Sequence, residues 1–243
     1  MKKEKMDRNA YEIFPYILSI KNISERELEK FIDMVPYERK HKAERYAFFE
    51  DKKRCIMGYC LVKYALNKEY GLKGNLLWTY EKYGKPRLSD ISDIHFNISH
   101  SGDWIAVCVG TIPMGVDIEK VRDNIHIVNK VFSQTEVETI NSMTNGNAID
   151  YFIKQWTIKE AYTKYLGKGI NKDFSEIYAS SMNMGIRNSL IIFDKNLLVG
   201  IGGVQEKIKD RYWLTVVSRC APNMVYKVIE ISHYRLYDKL EIR

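Results

Sequence analysis

Gly115-Val-Asp-Ile-Glu-Lys120 alternates apolar and acidic residues, the period of a strand with one buried face. Val116 and Ile118 would face a core, leaving Asp117 and Glu119 side by side on the other face. Further along, Trp156-Thr-Ile-Lys-Glu-Ala-Tyr-Thr-Lys164 reads as helix and puts Glu160 and Lys164 on one side of it. Aligned carboxylates from a strand, another from a helix and a lysine beside it suit a hard divalent cation next to a phosphate ester. Taken alone, the strand pair equally suits the wet face of an edge strand, and Glu160 with Lys164 a solvated ion pair.

Working outward, residues 95–99 read as a strand that turns at Ser101-Gly-Asp103 and returns over 104–109. With 115–119 these form a tightly connected, antiparallel set. Residues 11–20 read as a first strand, and Ser24-Glu-Arg-Glu27 as a capping box opening a short helix through Phe31 and Met34 that Pro36 ends. A helix over 51–70 closes at Gly71. After Lys120 the order repeats. A capped helix begins near Ser133-Gln-Thr-Glu136, a longer one covers 150–166 and stops at Gly167-Lys-Gly169, and strands fall at 190–193, 212–218 and 225–231. Element order alone implies an α+β fold of two similar halves, 1–119 and 120–243.

The chain has 243 residues, 45% hydrophobic and 28% charged, ordinary for a globular protein with an ample core. No apolar stretch approaches the length of a membrane span, and Met1-Lys-Lys-Glu-Lys-Met-Asp7 lacks the apolar region of a signal peptide. Cys55, Cys60, Cys108 and Cys220 form no Cys-x-x-Cys pair and read as reduced thiols. A cytoplasmic protein without membrane contact is expected. The net charge of +7 fits an anionic partner, whether nucleic acid, phosphorylated cofactor or acidic protein, and by itself chooses none of them.

Phe96-Asn-Ile-Ser-His-Ser-Gly102 brings Ser99, His100 and Ser101 to the end of a strand, where hydroxyls, an imidazole and turn amides suit phosphate oxygens. No Gly-x-Ser-x-Gly elbow accompanies the Ser-His pair, which argues against a hydrolase triad. In Arg39-Lys-His-Lys-Ala-Glu-Arg45, Arg39 and Lys42 share a helix face, and Arg54 lies further along. Converging cations clamp a dianion, although a solvated surface has the same pattern. The aromatics Tyr46, Phe48 and Phe49 are placed in the core.

In this order and spacing, Tyr83-Gly-Lys-Pro86, Phe96-Asn-Ile-Ser-His-Ser101, Gly115-Val-Asp-Ile-Glu119 and Trp156-Thr-Ile-Lys-Glu-Ala161, with Lys164 and Gly167-Lys-Gly169, closely resemble the Sfp-type 4′-phosphopantetheinyl transferases. The resemblance runs from the basic segment near Arg39 to Leu166. It implies pseudo-symmetric α+β halves, each a small mainly antiparallel sheet with packed helices, and an active site at their interface. The 1–119 half would hold the adenine and 3′-phosphate of coenzyme A, and the 120–243 half the metal-ligand helix and the carrier-protein surface. The implied reaction moves the phosphopantetheine arm of coenzyme A onto a serine of an apo peptidyl or acyl carrier protein, with Mg²⁺, releasing adenosine 3′,5′-bisphosphate.

By the same resemblance Asp117, Glu119 and Glu160 would hold the magnesium, with Glu160 also the candidate general base. Arg39, Lys42 and His100 fall where the family holds the 3′-phosphate, and Arg54, from the converging cations read above, is expected among the coenzyme A contacts. Ser99 and His100 match phosphate contacts, and Lys85 and Pro86 the segment against the adenine. Lys159 and Lys164 are the lysines of the Trp-x-x-Lys-Glu signature, Lys164 at the pyrophosphate or upper pantetheine arm. Arg39 stands where relatives often carry lysine, and Cys55 where some carry a hydroxyl residue. Residues 121–140, with Ile125, Ile127, Val131 and Phe132, match the carrier-docking segment, though each also suits the core of a helix. A monomer that binds no nucleic acid is expected. A metal-dependent nuclease would share the carboxylates and the basic surface but would not need the Gly-Lys-Pro and Ser-His segments. A non-catalytic nucleic-acid or carrier-binding module would bind nucleic acid with a steep salt dependence and show no Mg²⁺-dependent affinity for coenzyme A.

Overall fold

The computed structural model describes residues 12–122, 131–169, 173–182, 188–219 and 227–241. Strand β1 (Ile13–Ser19) leads to α1 (Glu25–Ile32), which opens with the expected capping box: Ser24 and Glu27 each bond the other's backbone N–H. The basic segment forms α2 (Tyr37–Glu44), and α3 (Phe49–Tyr70) stops where Gly71 turns left-handed at φ 70°. A small hairpin follows, β2 (Trp78–Tyr80) with β3 (Pro86–Leu88), then β4 (His95–Ser101), β5 (Trp104–Gly110) and β6 (Met114–Lys120).

The second half opens with α4 (Gln134–Asn141), capped by Ser133 and Glu136, and α5 (Asn145–Leu166), which starts earlier than its apolar pattern suggested and ends at Gly167. Strands β7 (Ile177–Met182), β8 (Asn188–Asp194), β9 (Leu197–Ile208) and β10 (Tyr212–Ser218) follow, then β11 (Ile229–Ile231) and α6 (His233–Glu241). The last strand expected from the sequence thus shrinks to its final residues, and the part before 227 lies outside the described residues. β7, β9 and α6 are additions to that reading. Gly200, Gly202 and Gly203 break the apolar alternation of β9, which hid the longest strand among the described residues.

One sheet has the order β11-β1-β5-β4 and the other β6-β10-β9-β8-β7. All these pairings are antiparallel except β1 with β11. α3 packs on the outer face of the first sheet, in a core of Tyr16, Leu18, Ile56, Tyr59, Leu61, Phe96 and Val107. α5 packs on the outer face of the second, through Ile158, Ala161 and Tyr162 against Ile177, Leu190 and Val217. The inner faces meet each other through Ile17, Ala106 and Cys108 on one side and Val116, Ile118, Leu214 and Val216 on the other. The layers therefore run helix, sheet, sheet, helix, the α+β arrangement of paired halves expected from the sequence. The chain end returns to the first half, where Leu236 of α6 is buried in the α3 core.

The expectation that β6 pairs within the β4–β5 set is corrected. β6 ladders with β10 over its whole length, from Tyr212↔Lys120 to Ser218↔Met114, and so edges the second sheet. Gly115 makes this position possible: a Cβ there would lie 2.0 Å from the Ala161 carbonyl oxygen and 2.5 Å from the Tyr165 nitrogen. Only glycine lets β6 press against the backbone of α5. The placement of Tyr46 and Phe48 in the core is also corrected. They sit between α2 and α3, outside any helical stripe, and Phe48 is 72% exposed.

Candidate active site

The free edges of the two sheets, β4 and β6, face each other and are joined by side chains instead of a backbone ladder. Alternate residues of β4 do the joining. Asn97 Oδ1 accepts from Val116 N at 2.8 Å, Ser99 Oγ donates to Asp117 Oδ1 at 2.7 Å, and Ser101 Oγ donates to Glu119 Oε2 at 2.6 Å. From α5, Lys164 Nζ reaches Asp117 Oδ1 at 2.6 Å and Ser99 Oγ at 2.8 Å. Arg122 Nη2 donates to Ser101 Oγ at 3.2 Å and lies 3.7 Å from Glu119 Oε2. One seam thus gathers Asp117 and Glu119 from a strand, Lys164 and Glu160 from a helix, and the serines of the Ser-His-Ser run.

The carboxylates are crowded. Asp117 is 2% exposed, and its Oδ2 is buried without a hydrogen-bond partner. Burial, then Asp117, pushes the Glu160 carboxyl up to about 7, with Lys164 opposing and Glu119 adding to the rise. Burial and then Asp117 raise Glu119 as well, against the Ser101 hydrogen bond and the Arg122 and Lys164 charges. Two carboxyls raised by a neighbouring acid, beside a buried carboxylate oxygen without a partner, fit a site meant for added positive charge. Among the described residues, no three acidic, imidazole or thiol side chains converge closely enough to hold a metal as they stand. Lys164 supplies the cation on Asp117 instead, so the donor chemistry fits Mg²⁺ while the side chains are engaged with one another.

His100, next to Ser99 on β4, points the other way, into a cleft of about 410 Å³ between α2, α3 and the β2–β3 hairpin. Arg39, Lys42, Arg54, Cys55, Tyr59, Trp78, Tyr80, Gly84 and Pro86 line the same cleft. The Arg39 guanidinium lies 4.3 Å over the Trp78 ring and donates to Tyr80 Oη at 3.4 Å. Arg54 is held by Asp51 Oδ1 at 2.7 Å and the Gly102 carbonyl at 2.9 Å. Desolvation, then the charges of Arg54 and Lys164, hold the His100 imidazole below its usual range. His100 in the cleft and Ser99 on Asp117, adjacent on β4, link the cleft to the carboxylates. Arginine, lysine and histidine around an aromatic wall suit a phosphate attached to a flat base.

Models of known families match both halves. One described as 4′-phosphopantetheinyl transferase, N-terminal, covers residues 22–111, and one described as the 4′-phosphopantetheinyl transferase superfamily covers 113–215. 4′-Phosphopantetheinyl transferase Sfp of Bacillus subtilis (strain 168) is 34% identical over 151 residues, 61% of this chain and 67% of that protein. This chain belongs to the 4′-phosphopantetheinyl transferase superfamily. A further relative, 4′-phosphopantetheinyl transferase HetI of Nostoc sp. (strain PCC 7120), is 32% identical over 139 residues, 54% of this chain and 59% of that one. Among solved structures, the holo-acyl-carrier-protein synthase of Thermotoga maritima aligns over 44% of this chain and 61% of its own, with 16% identity and a TM-score of 0.34, too slight a likeness to bear on the site. Phosphopantetheinyl transferases use coenzyme A as substrate and act on apo carrier proteins, and the chain is an enzyme of this type.

The structure brings Arg39, Lys42, Arg54, His100 and Pro86 to the cleft, and Ser99, Asp117, Glu119, Glu160 and Lys164 to the seam. It takes other expected residues elsewhere. Lys159 is 1% exposed and turned into the second half, where its ammonium meets Glu136 Oε2 at 3.0 Å, the Phe174 carbonyl at 2.8 Å and the Ile177 carbonyl. Its donors are used up there, so its assignment to coenzyme A is corrected. The Lys85 ammonium donates to the Tyr165 carbonyl at 3.0 Å and the Met114 carbonyl at 3.4 Å, bonding the last turn of α5, while only Pro86 of this pair lines the cleft. Ser99 serves the carboxylates and not the cleft lining. Of the carrier-docking segment, Ile125 and Ile127 lie outside the described residues, and Phe132 is buried against Phe152 at 5.0 Å between ring centres. Sequence reading missed Trp78 and Tyr80. Aromatics at alternate positions of Trp78-Thr-Tyr80 were the available signal.

Proposed function

We propose that this enzyme transfers the 4′-phosphopantetheine arm of coenzyme A to a serine hydroxyl of an apo peptidyl or acyl carrier protein, with Mg²⁺, releasing adenosine 3′,5′-bisphosphate. What supports the reading is strand β4, whose adjacent residues face different chemistries: His100 a cationic, aromatic cleft, Ser99 a carboxylate centre. Coenzyme A carries phosphate at both ends of its nucleotide, and a strand with such neighbours can serve both at once.

In this reading Arg39, Lys42, Arg54 and His100 take the 3′-phosphate, and Trp78, Tyr80 and Pro86 form the wall against the adenine. Asp117, Glu119 and Glu160 are the residues that would hold Mg²⁺, with the orphaned Asp117 Oδ2 as the first contact offered. A bound Mg²⁺ would neutralise charge on the pyrophosphate. Lys164, released from Asp117, would turn to a phosphate oxygen. Glu160 would accept the serine proton as attack proceeds. Ser99 and Ser101 hold the strand carboxylates in place by donating to them. The 1–119 half then carries the nucleotide and the 120–243 half the metal-ligand helix and the carrier surface.

Because one chain supplies both sides of the seam, a monomer suffices. The positive charge is assigned to coenzyme A and an acidic carrier, not to nucleic acid. The free, buried thiols of Cys60 and Cys108 support a cytoplasmic location. Likeness to Sfp favours carriers of nonribosomal peptide or antibiotic assembly. The test incubates the protein with coenzyme A, Mg²⁺ and a panel of apo carriers and weighs each carrier. A mass gain of one phosphopantetheine is expected, and no gain on any carrier would overturn the proposal.

A further inference from the structure

The Trp156-Thr-Ile-Lys-Glu-Ala161 segment carries a polar residue with no part in the site above. Thr157 is fully buried, and its Oγ1 bonds the Lys154 carbonyl at 2.9 Å and lies 2.9 Å from Thr215 Oγ1. Gln205 Nε2 joins them, at 3.0 Å from Thr157 Oγ1, 2.8 Å from Thr215 Oγ1 and 2.8 Å from the Lys154 carbonyl. Gln205 is 1% exposed, and its Oε1 is buried without a partner. The orphaned oxygen costs the cluster stability that valine and leucine in the same space would not lose.

Its position in the sheet gives it a use. Thr215 of β10 lies opposite Asp117 of β6 on one side and opposite Gln205 of β9 on the other. These side chains therefore form one row across the sheet, on the face that α5 covers. Thr157, Glu160 and Lys164 share one face of α5. The row and the helix face are tied at both ends, Thr157 to Thr215 and Gln205, and Lys164 to Asp117, with Glu160 between them. A slip of one residue would rotate the helix by about 100° and break the ties. The apolar contacts of Ile158 and Ala161 have no such directionality.

We propose that Thr157, Thr215 and Gln205 are positioning residues for the transfer reaction, fixing the rotation of α5 on its sheet so that Glu160 faces Asp117 and Glu119. The inference rests on the reading of those carboxylates as magnesium ligands. Its test replaces the cluster by apolar isosteres, Thr157→Val, Thr215→Val and Gln205→Leu together, and titrates Mg²⁺ by calorimetry in the presence of coenzyme A. A melting temperature at or above that of the wild type is expected, with Mg²⁺ affinity about tenfold weaker and, at saturating Mg²⁺, a lower kcat and an unchanged KM for coenzyme A. A triple variant that binds Mg²⁺ and turns over like the wild type overturns the positioning role alone. A wild type that binds no Mg²⁺ overturns the metal reading and this inference with it. If the triple variant does not fold, single variants decide. Thr215→Ser should keep wild-type Mg²⁺ affinity and Thr215→Val should bind Mg²⁺ more weakly, and equal affinities overturn the role.

Discussion

Lys159 and Lys164 occupy one short signature, yet their ammonium groups end on opposite sides of α5, one sealed in a core and the other on the site carboxylate. Burial lowers the Lys159 ammonium, and Glu136 offsets part of that effect. Lys159→Met leaves the Glu136 carboxylate buried without its partner, and a stability loss of about 3–5 kcal/mol follows. Thermal denaturation should show that loss while the KM for coenzyme A stays unchanged, whereas a raised KM in a well-folded variant would return Lys159 to the substrate. Asp117→Asn works the other way. It removes a buried negative charge that raises both Glu160 and Glu119, so folding should survive, while transfer falls by about 100-fold or more. Kinetics and melting of the same preparation separate these effects. Residue identity was legible in the sequence for the acids, because strand alternation and helical spacing fix which faces they share. The direction of a lysine was not, since a long flexible chain at the edge of a helix face can reach either core or cleft.

At the scale of elements, Gly115 holds β6 against α5, and Gly115→Ala would drive a methyl group into the backbone of Ala161 and Tyr165. Neither backbone can yield cheaply, so about 3 kcal/mol or more of stability should be lost, seen as a lower melting temperature or poor soluble yield. A melting temperature equal to the wild type would show that β6 can move away. The first helix gives a pH prediction. Hydrogen bonds from the Ser24 backbone and hydroxyl hold the Glu27 carboxyl at about 2, below its ordinary value of 4.5. A depressed carboxyl stabilises the fold above 4.5 and loses that contribution as pH falls towards 2. The difference in melting temperature between wild type and Glu27→Gln should therefore shrink across that window, and a constant difference would count against the capping role. Caps were legible for a local reason: Ser24 with Glu27, Ser133 with Glu136, Gly71 and Gly167 act within a few residues of themselves. Strand partners were not. Nothing within residues 104–120 states that β6 leaves β5 for β10, a strand almost a hundred residues later, and the glycines of β9 erased its alternation.

For the whole molecule, the apolar inner faces pack the two sheets together, and the Asn97, Ser99 and Ser101 bonds close the seam between their edges β4 and β6. That closure puts the cleft behind His100 and the carboxylates beside Ser99 within one residue of each other in the chain. Paired α+β halves were legible from the repeated order of elements, while the face-to-face packing of the sheets and the return of α6 to the first half depend on contacts that only the folded chain makes. If one ligand spans cleft and carboxylates, its binding and that of Mg²⁺ must be coupled, and the coupling is reciprocal. Calorimetric titration of coenzyme A with and without Mg²⁺, on wild type and Asp117→Asn, measures this directly. Mg²⁺ should tighten coenzyme A by about tenfold in the wild type and have no effect in the variant. Coenzyme A affinity indifferent to Mg²⁺ in the wild type would contradict a single site spanning the seam.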